Sequence, residues 1–160
     1  MAVLLEYLYG RLSMTEEKGV KMDIAFWKNK ANNEIDPDLF STKAEDLAKE
    51  IFDQSSNKKN KPTQIRKFYD EVLRFSSMLK NKPDDFNNVL PYIKMLNAKV
   101  SYALGRDLVS YSFKDFIAGS LSQINDPKDF EVFANFFEAF MGFYKYYYEK
   151  TQRKSQGGAR

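Results

Sequence analysis

Apolar residues recur along this chain at helical spacing, and period-2 alternation is scarce. From Pro62 or Thr63 onward, Ile65, Phe68, Tyr69, Val72, Ser76 and Leu79 follow at intervals of 3, 1, 3, 4 and 3. That is one face of an amphipathic helix. Arg66, Asp70, Arg74, Ser77 and Asn81 fall on the opposite side, with Lys67 at its edge. Before it, a helix from about Ser41 to Gln54 buries Leu47, Ala48 and Ile51. Ser41 or Thr42 is placed to cap it, and Glu45 lies at capping-box distance from Thr42. After Pro83-Asp84-Asp85, the residues Phe86, Val89, Leu90, Ile93, Leu96, Val100 and Ala103 form a further stripe. Pro91 inside that stripe predicts a kink or a later start, and Gly105 is placed to end it. A shorter helix from Ser112 to Gln123 carries Phe113, Phe116, Ile117 and Leu121.

The last helix has the strongest pattern. Asp126 is a good N-cap, Pro127 suits the first helical position, and Asp129 sits where negative charge is favoured. Phe130, Phe133, Phe137, Phe140, Tyr144 and Tyr147 follow at intervals of 3, 4, 3, 4 and 3. Phe136, Ala139, Phe143 and Tyr146 form a second stripe beside them. A face this wide needs neighbours on more than one side, from the same chain or from a second copy. A homodimer through this aromatic helix is therefore one expectation.

These elements predict an all-α, single-domain helical bundle of about five to six helices. Residues 1–40 read as a variable, partly helical N-terminal extension, 41–152 as the bundle, and 153–160 as a disordered tail. Lys30–Asp38 and Ser55–Pro62 are polar enough to be loops, and the second is expected to be mobile. No apolar run approaches the ~20 residues that span a bilayer. The apolar opening, Met1–Gly10, is interrupted by Glu6 and lacks a basic start, so it makes a poor signal peptide.

Composition narrows the chemistry. The chain of 160 residues contains no histidine and no cysteine. That removes imidazole bases, Ser-His-Asp triads, thiolate nucleophiles, disulfides, and metal sites built on His or Cys. The glycines make no phosphate loop. No cofactor and no metal are expected, and the reading is of a cytoplasmic protein that is not an enzyme. Carboxylate pairs such as Glu16/Glu17, Glu45/Asp46, Asp84/Asp85 and Asp126/Asp129 have ordinary roles at helix starts or on wet faces. A two-metal nuclease needs several carboxylates converging in a pocket, and nothing in their spacing requires it. Glu138, beside the aromatic stripes, is expected to be partly buried and ion-paired.

Charge is informative once divided. The formal net charge is +3. Residues 58–82 hold eight basic groups against two acidic ones, net +6, while residues 1–57 are net −4. A loop and helix so basic suit a phosphate backbone, which cations position without reading sequence. They equally suit a solvated face, because Arg66 and Lys67 stand four residues before Asp70 and Glu71 and can pair within the helix. A helix-turn-helix DNA reader is a further alternative, weakened by the long segment between the two helices. The tyrosines of Tyr144–Tyr148 suit either stacking on single-stranded bases, with Lys145 on phosphate, or packing.

Three segments carry a resemblance. Lys61-Pro-Thr-Gln-Ile-Arg-Lys-Phe-Tyr-Asp70, Leu96-Asn-Ala-Lys-Val-Ser-Tyr-Ala-Leu-Gly-Arg106 and Phe136-Phe-Glu-Ala-Phe-Met-Gly-Phe-Tyr-Lys145 resemble, in order and spacing, the small subunit of the type III-A CRISPR (Csm) effector complex. The likeness covers about residues 60–150, and residues 1–40 have no counterpart in it. It implies an all-helical, non-catalytic subunit. Copies would stack along the complex and line a channel holding guide (CRISPR) RNA and target RNA, in defence against foreign nucleic acid. Cleavage would belong to other Csm subunits. Arg66 and Lys67 match the first motif, Lys99 and Arg106 the second, and Lys145 the third. With Lys61 they are the expected RNA-binding residues. Arg106 has the alternatives of capping a helix or pairing with Asp107 or Glu138, and Tyr102 and Gly105 are expected in packing and turning. A helical protein-interaction scaffold remains the alternative without RNA contact.

Overall fold

A computed structural model describes residues 23–157. Six α-helices follow a small hairpin: α1 (Ala44–Asp53), α2 (Pro62–Asn81), α3 (Phe86–Lys94), α4 (Leu96–Gly105), α5 (Tyr111–Ser122) and α6 (Pro127–Gly157). The hairpin pairs β1 (Trp27–Asn29) antiparallel with β2 (Glu34–Ile35) through a 3-10 turn at Lys30–Asn32. The architecture is the all-α bundle the periodicity predicts.

α6 is the axis. It packs most extensively on α1 and next on α2. Phe130, Phe133, Phe136, Phe137, Phe140 and Tyr144 are buried along it. The α5 ring of Phe116 lies 5.1 Å from both Phe137 and Phe140 and meets Phe136 edge-on at 5.6 Å. Such pairs each contribute about 0.5–1.5 kcal/mol beyond area burial. The chain's own helices thus cover most of the wide aromatic face. Tyr146, at 53% exposure, stays outside.

Several elements differ from expectation. Where it is described, the N-terminal extension holds the hairpin of residues 27–35 with its 3-10 turn and the start of a π-helical turn at Leu39, but no α-helix, and residues 1–22 lie outside the described residues. Nor is this part detached. Phe26 is fully buried, stacked at 6.4 Å on Phe133, and Leu39 is buried with it. The hairpin is latched by Asp129, whose carboxylate accepts from Trp27 Nε1 and Lys30 Nζ, both at 2.8 Å. Asp129 also accepts from the backbone N–H of Asn125 and Asp126, while Asp126 Oδ1 accepts from the Asp129 N–H. That reciprocal cap is why an aspartate can be buried at the start of α6.

No capping box forms at Thr42 and Glu45. The chain already coils as a π-helical turn at Leu39–Lys43, so α1 begins inside helical backbone with no exposed amides to cap there. Pro91 does not mark a start; the stripe it interrupts breaks one turn later, at Met95. Proline offers no N–H to the preceding turn, while Met95 N–H donates to the Pro91 carbonyl at 3.0 Å and the Met95 carbonyl begins α4. Gly105 is the last residue of α4, but the left-handed position is Asp107, with φ 59°. Leu108 N–H donates to Ala103 O and Asp107 N–H to Leu104 O, a Schellman closure. On α2 the buried residue beside Val72 is Phe75, with Ser76 only half-buried. α6 continues past Gln152 to Gly157, taking in the first residues of the tail read as disordered from the sequence, and residues 158–160 lie outside the described residues. Glu138 is exposed rather than partly buried and makes no ion pair among the described residues, because its position on α6 falls away from the buried stripe.

The Ser55–Pro62 loop is anchored rather than free. Asn60 is fully buried and left-handed, with φ 55°, a conformation asparagine tolerates. Its side chain donates to Ile51 O and Ser110 Oγ, each at 3.0 Å, and accepts from Ser110 N–H at 2.8 Å. Its N–H donates to Leu108 O at 2.9 Å, and its carbonyl accepts from the Tyr144 hydroxyl. Burial pushes the Tyr144 phenol far up, so it stays a donor.

Candidate nucleic-acid interface

The basic positions of α2 and α4 meet in a groove of about 310 Å³, whose wall includes Lys67, Lys99, Arg106, Tyr102, Gln64 and Glu71. Each helix supplies its part by 3–4 spacing. Gln64, Lys67 and Glu71 lie on one side of α2. Lys99, Tyr102 and Arg106 lie on one side of α4. Pro62 occupies the first turn of α2, and the pinned Asn60 fixes where that helix begins. The Asp107 turn ends α4 immediately after Arg106.

Among the described residues three cations and one carboxylate line the groove. Arg66 and Asp70 form the intrahelical pair expected of them, at 2.7 Å. Glu71 does not pair with Lys67. It turns to Arg74 at 2.7 Å and Lys99 at 2.8 Å, which hold its carboxyl below the usual range against the opposing effect of burial. Lys67 and Arg106 are exposed and have no ion-pair partner among the described residues. The Arg106 guanidinium lies over the Tyr102 ring, 5.6 Å from its centroid, and donates to the Tyr102 hydroxyl at 3.3 Å. Arg106 therefore pairs with neither Asp107 nor Glu138. Asp107 instead meets Lys59 at 3.2 Å.

The remaining expected positions are not gathered there. Arg66 sits on α2 outside the groove, paired with Asp70 and with its guanidinium over the Tyr69 ring, 5.6 Å from the centroid. Lys145 is exposed on α6. Lys61 borders a different cleft, at the start of α2. Two groove residues escape a reading based on cations alone. Tyr102 is not a packing residue but is 66% exposed, and Glu71 is the groove's acid. The signal for Tyr102 is its interval of 3 from Lys99 and 4 to Arg106, which places all three on one helical face.

Among the described residues no group of three or more acidic, His or Cys side chains is gathered to hold a metal, and no helix is long and apolar enough to cross a membrane. Residues 54–61 between α1 and α2 exceed the 3–4-residue turn of a helix-turn-helix.

Fold and groove together define a small helical protein with a basic, aromatic-edged surface channel. A family model described as Csm2 Type III-A matches residues 34–150, and the chain belongs to that family. It is thereby a small subunit of the type III-A CRISPR effector complex, a structural component that assembles with other Csm subunits and CRISPR RNA. The match takes in all three motifs and most of α6, and begins at β2. No curated protein and no solved structure matches the chain.

Proposed function

We propose that the α2–α4 groove holds the sugar–phosphate backbone of the guide RNA/target RNA duplex, and that copies of the subunit stack along the complex so that their grooves run on. One observation carries this reading. Lys67, Lys99 and Arg106, drawn from two of the three motifs and from two helices, share one open wall with a single carboxylate. Guide-directed complexes leave sequence reading to base pairing, so shape and positive charge suffice in the protein. Arg66, Lys61 and Lys145 supply outlying contacts. The largely apolar hollow between Phe40 of the π-helical turn and Ala139, Phe143 and Tyr146 of α6, with Glu45 at its wall, is the surface offered to a neighbouring copy.

A reconstituted complex carrying Lys67→Ala/Arg106→Ala tests the contact by filter binding. Affinity for target RNA should fall alike for unrelated matched guides and targets; a loss confined to one sequence, or none, overturns the reading. Tyr146→Glu tests stacking by the copy number retained in the purified complex. An unchanged number removes the α6 surface from the account.

A further inference from the structure

The cleft at the start of α2 is larger than the groove, about 710 Å³, within the range of ~300–1,000 Å³ typical of small-ligand sites. It lies between the anchored loop and the last turns of α6. Lys61 stands at its edge, Tyr148 forms part of its wall, and Asn57, Thr63 and Gln152 bring amide and hydroxyl groups. Among the described residues no acidic side chain lines it. Its walls are fixed relative to each other, because the Tyr144 hydroxyl donates to the Asn60 carbonyl and so ties α6 to the loop. Two features that are separate in the sequence, the basic loop and the tyrosine run of α6, therefore face one space.

We propose that this cleft takes one unpaired ribonucleotide, its base against the Tyr148 ring and its phosphate at Lys61. The chemistry selects this class of ligand. A base presents a flat π-face for an aromatic ring, and stacking of this kind tolerates any base. Its edges carry donors and acceptors that asparagine, glutamine and threonine side chains satisfy. The phosphate needs a cation and no neighbouring carboxylate. An apolar ligand would leave the amides unpaired at a cost. The inference is independent of the backbone groove, with which the cleft shares no lining residue.

The test uses the full chain and a single-stranded ribohexamer carrying one 4-thiouridine. Near-ultraviolet cross-linking followed by mass spectrometry should place the base on the segment holding Tyr148 or on residues 55–63. By fluorescence anisotropy, Tyr148→Ala should weaken the hexamer roughly 5- to 100-fold, while Tyr148→Phe, which keeps the ring, should bind like the parent. Lys67→Ala/Arg106→Ala should leave the cross-linked position unchanged, which separates this site from the groove. Competition by millimolar uridine monophosphate assigns the site to free nucleotides as well as strands; failure to compete, with Tyr148→Ala still weakened, assigns it to strands. Equal binding of the hexamer and its abasic counterpart, an unchanged Tyr148→Ala, cross-links only elsewhere, or no binding at all would each overturn the proposal.

Discussion

Asn60 and Ser110 hold each other reciprocally: Ser110 N–H donates to Asn60 Oδ1 at 2.8 Å, and Asn60 Nδ2 donates to Ser110 Oγ at 3.0 Å. Ser110 Oγ in turn accepts from Phe113 N–H and caps α5. One buried side chain thus joins the basic loop to the start of a core helix. Removing it strands the Ser110 amide and the Ile51 carbonyl inside the protein, each a costly orphan. Asn60→Ala also places a β-carbon at a left-handed position without asparagine's local hydrogen bonding. The expected loss is about 2–4 kcal/mol, read as a lower urea midpoint with an unchanged slope.

Asp129 connects the hairpin to α6, and the hairpin carries the chain's single tryptophan. Asp129→Ala removes the acceptor of the Trp27 indole N–H and leaves Lys30 only the half-exposed Asp126 as partner. The hairpin should then open before the bundle does. Tryptophan emission should shift to longer wavelength at a urea concentration where far-ultraviolet circular dichroism is still native. Coincident transitions by the two probes would show that the latch does not set the hairpin's stability.

The helices were legible because each carries a periodic apolar face and a recognisable stop. α2 begins at Pro62 as its proline requires, and the α6 stripe is buried almost position by position as far as Tyr144. What escaped depends on packing between residues distant in sequence. Phe26 looks like part of a variable extension until Phe133 and Phe136 close over it. Asn60 looks like one more polar loop residue until Ile51, Ser110 and Tyr144 surround it. The groove was half legible. The motifs name Lys67, Lys99 and Arg106, but only packing shows that these three face one another while Arg66 lies apart.

Glu71 should oppose RNA binding, being the one carboxylate on the groove wall among the described residues and the partner that occupies Lys99. Glu71→Gln should tighten RNA binding roughly 2- to 5-fold at low salt. The same carboxyl is held below its ordinary value of 4.5 by Arg74 and Lys99. Its folded pKa is therefore depressed. Its contribution to stability is complete above about pH 4.5 and is lost as pH falls through the lower folded value. Glu71→Gln should flatten that acid limb and leave the pH dependence above about 5 unchanged. Acid titrations of both proteins by circular dichroism check this, and parallel acid limbs would contradict the pairing.

The claim that the groove of Lys67, Lys99 and Arg106 grips phosphate is tested most directly by the salt dependence of target-RNA affinity in the reconstituted complex. Removing one cation that binds phosphate should make the slope of log K against log salt shallower by about 0.7–0.9. For Lys67→Ala/Lys99→Ala/Arg106→Ala the account predicts a slope shallower by roughly 2–3 per engaged copy, the same for every matched sequence, and a smaller change for Arg66→Ala. A triple variant with the parent's slope would contradict it.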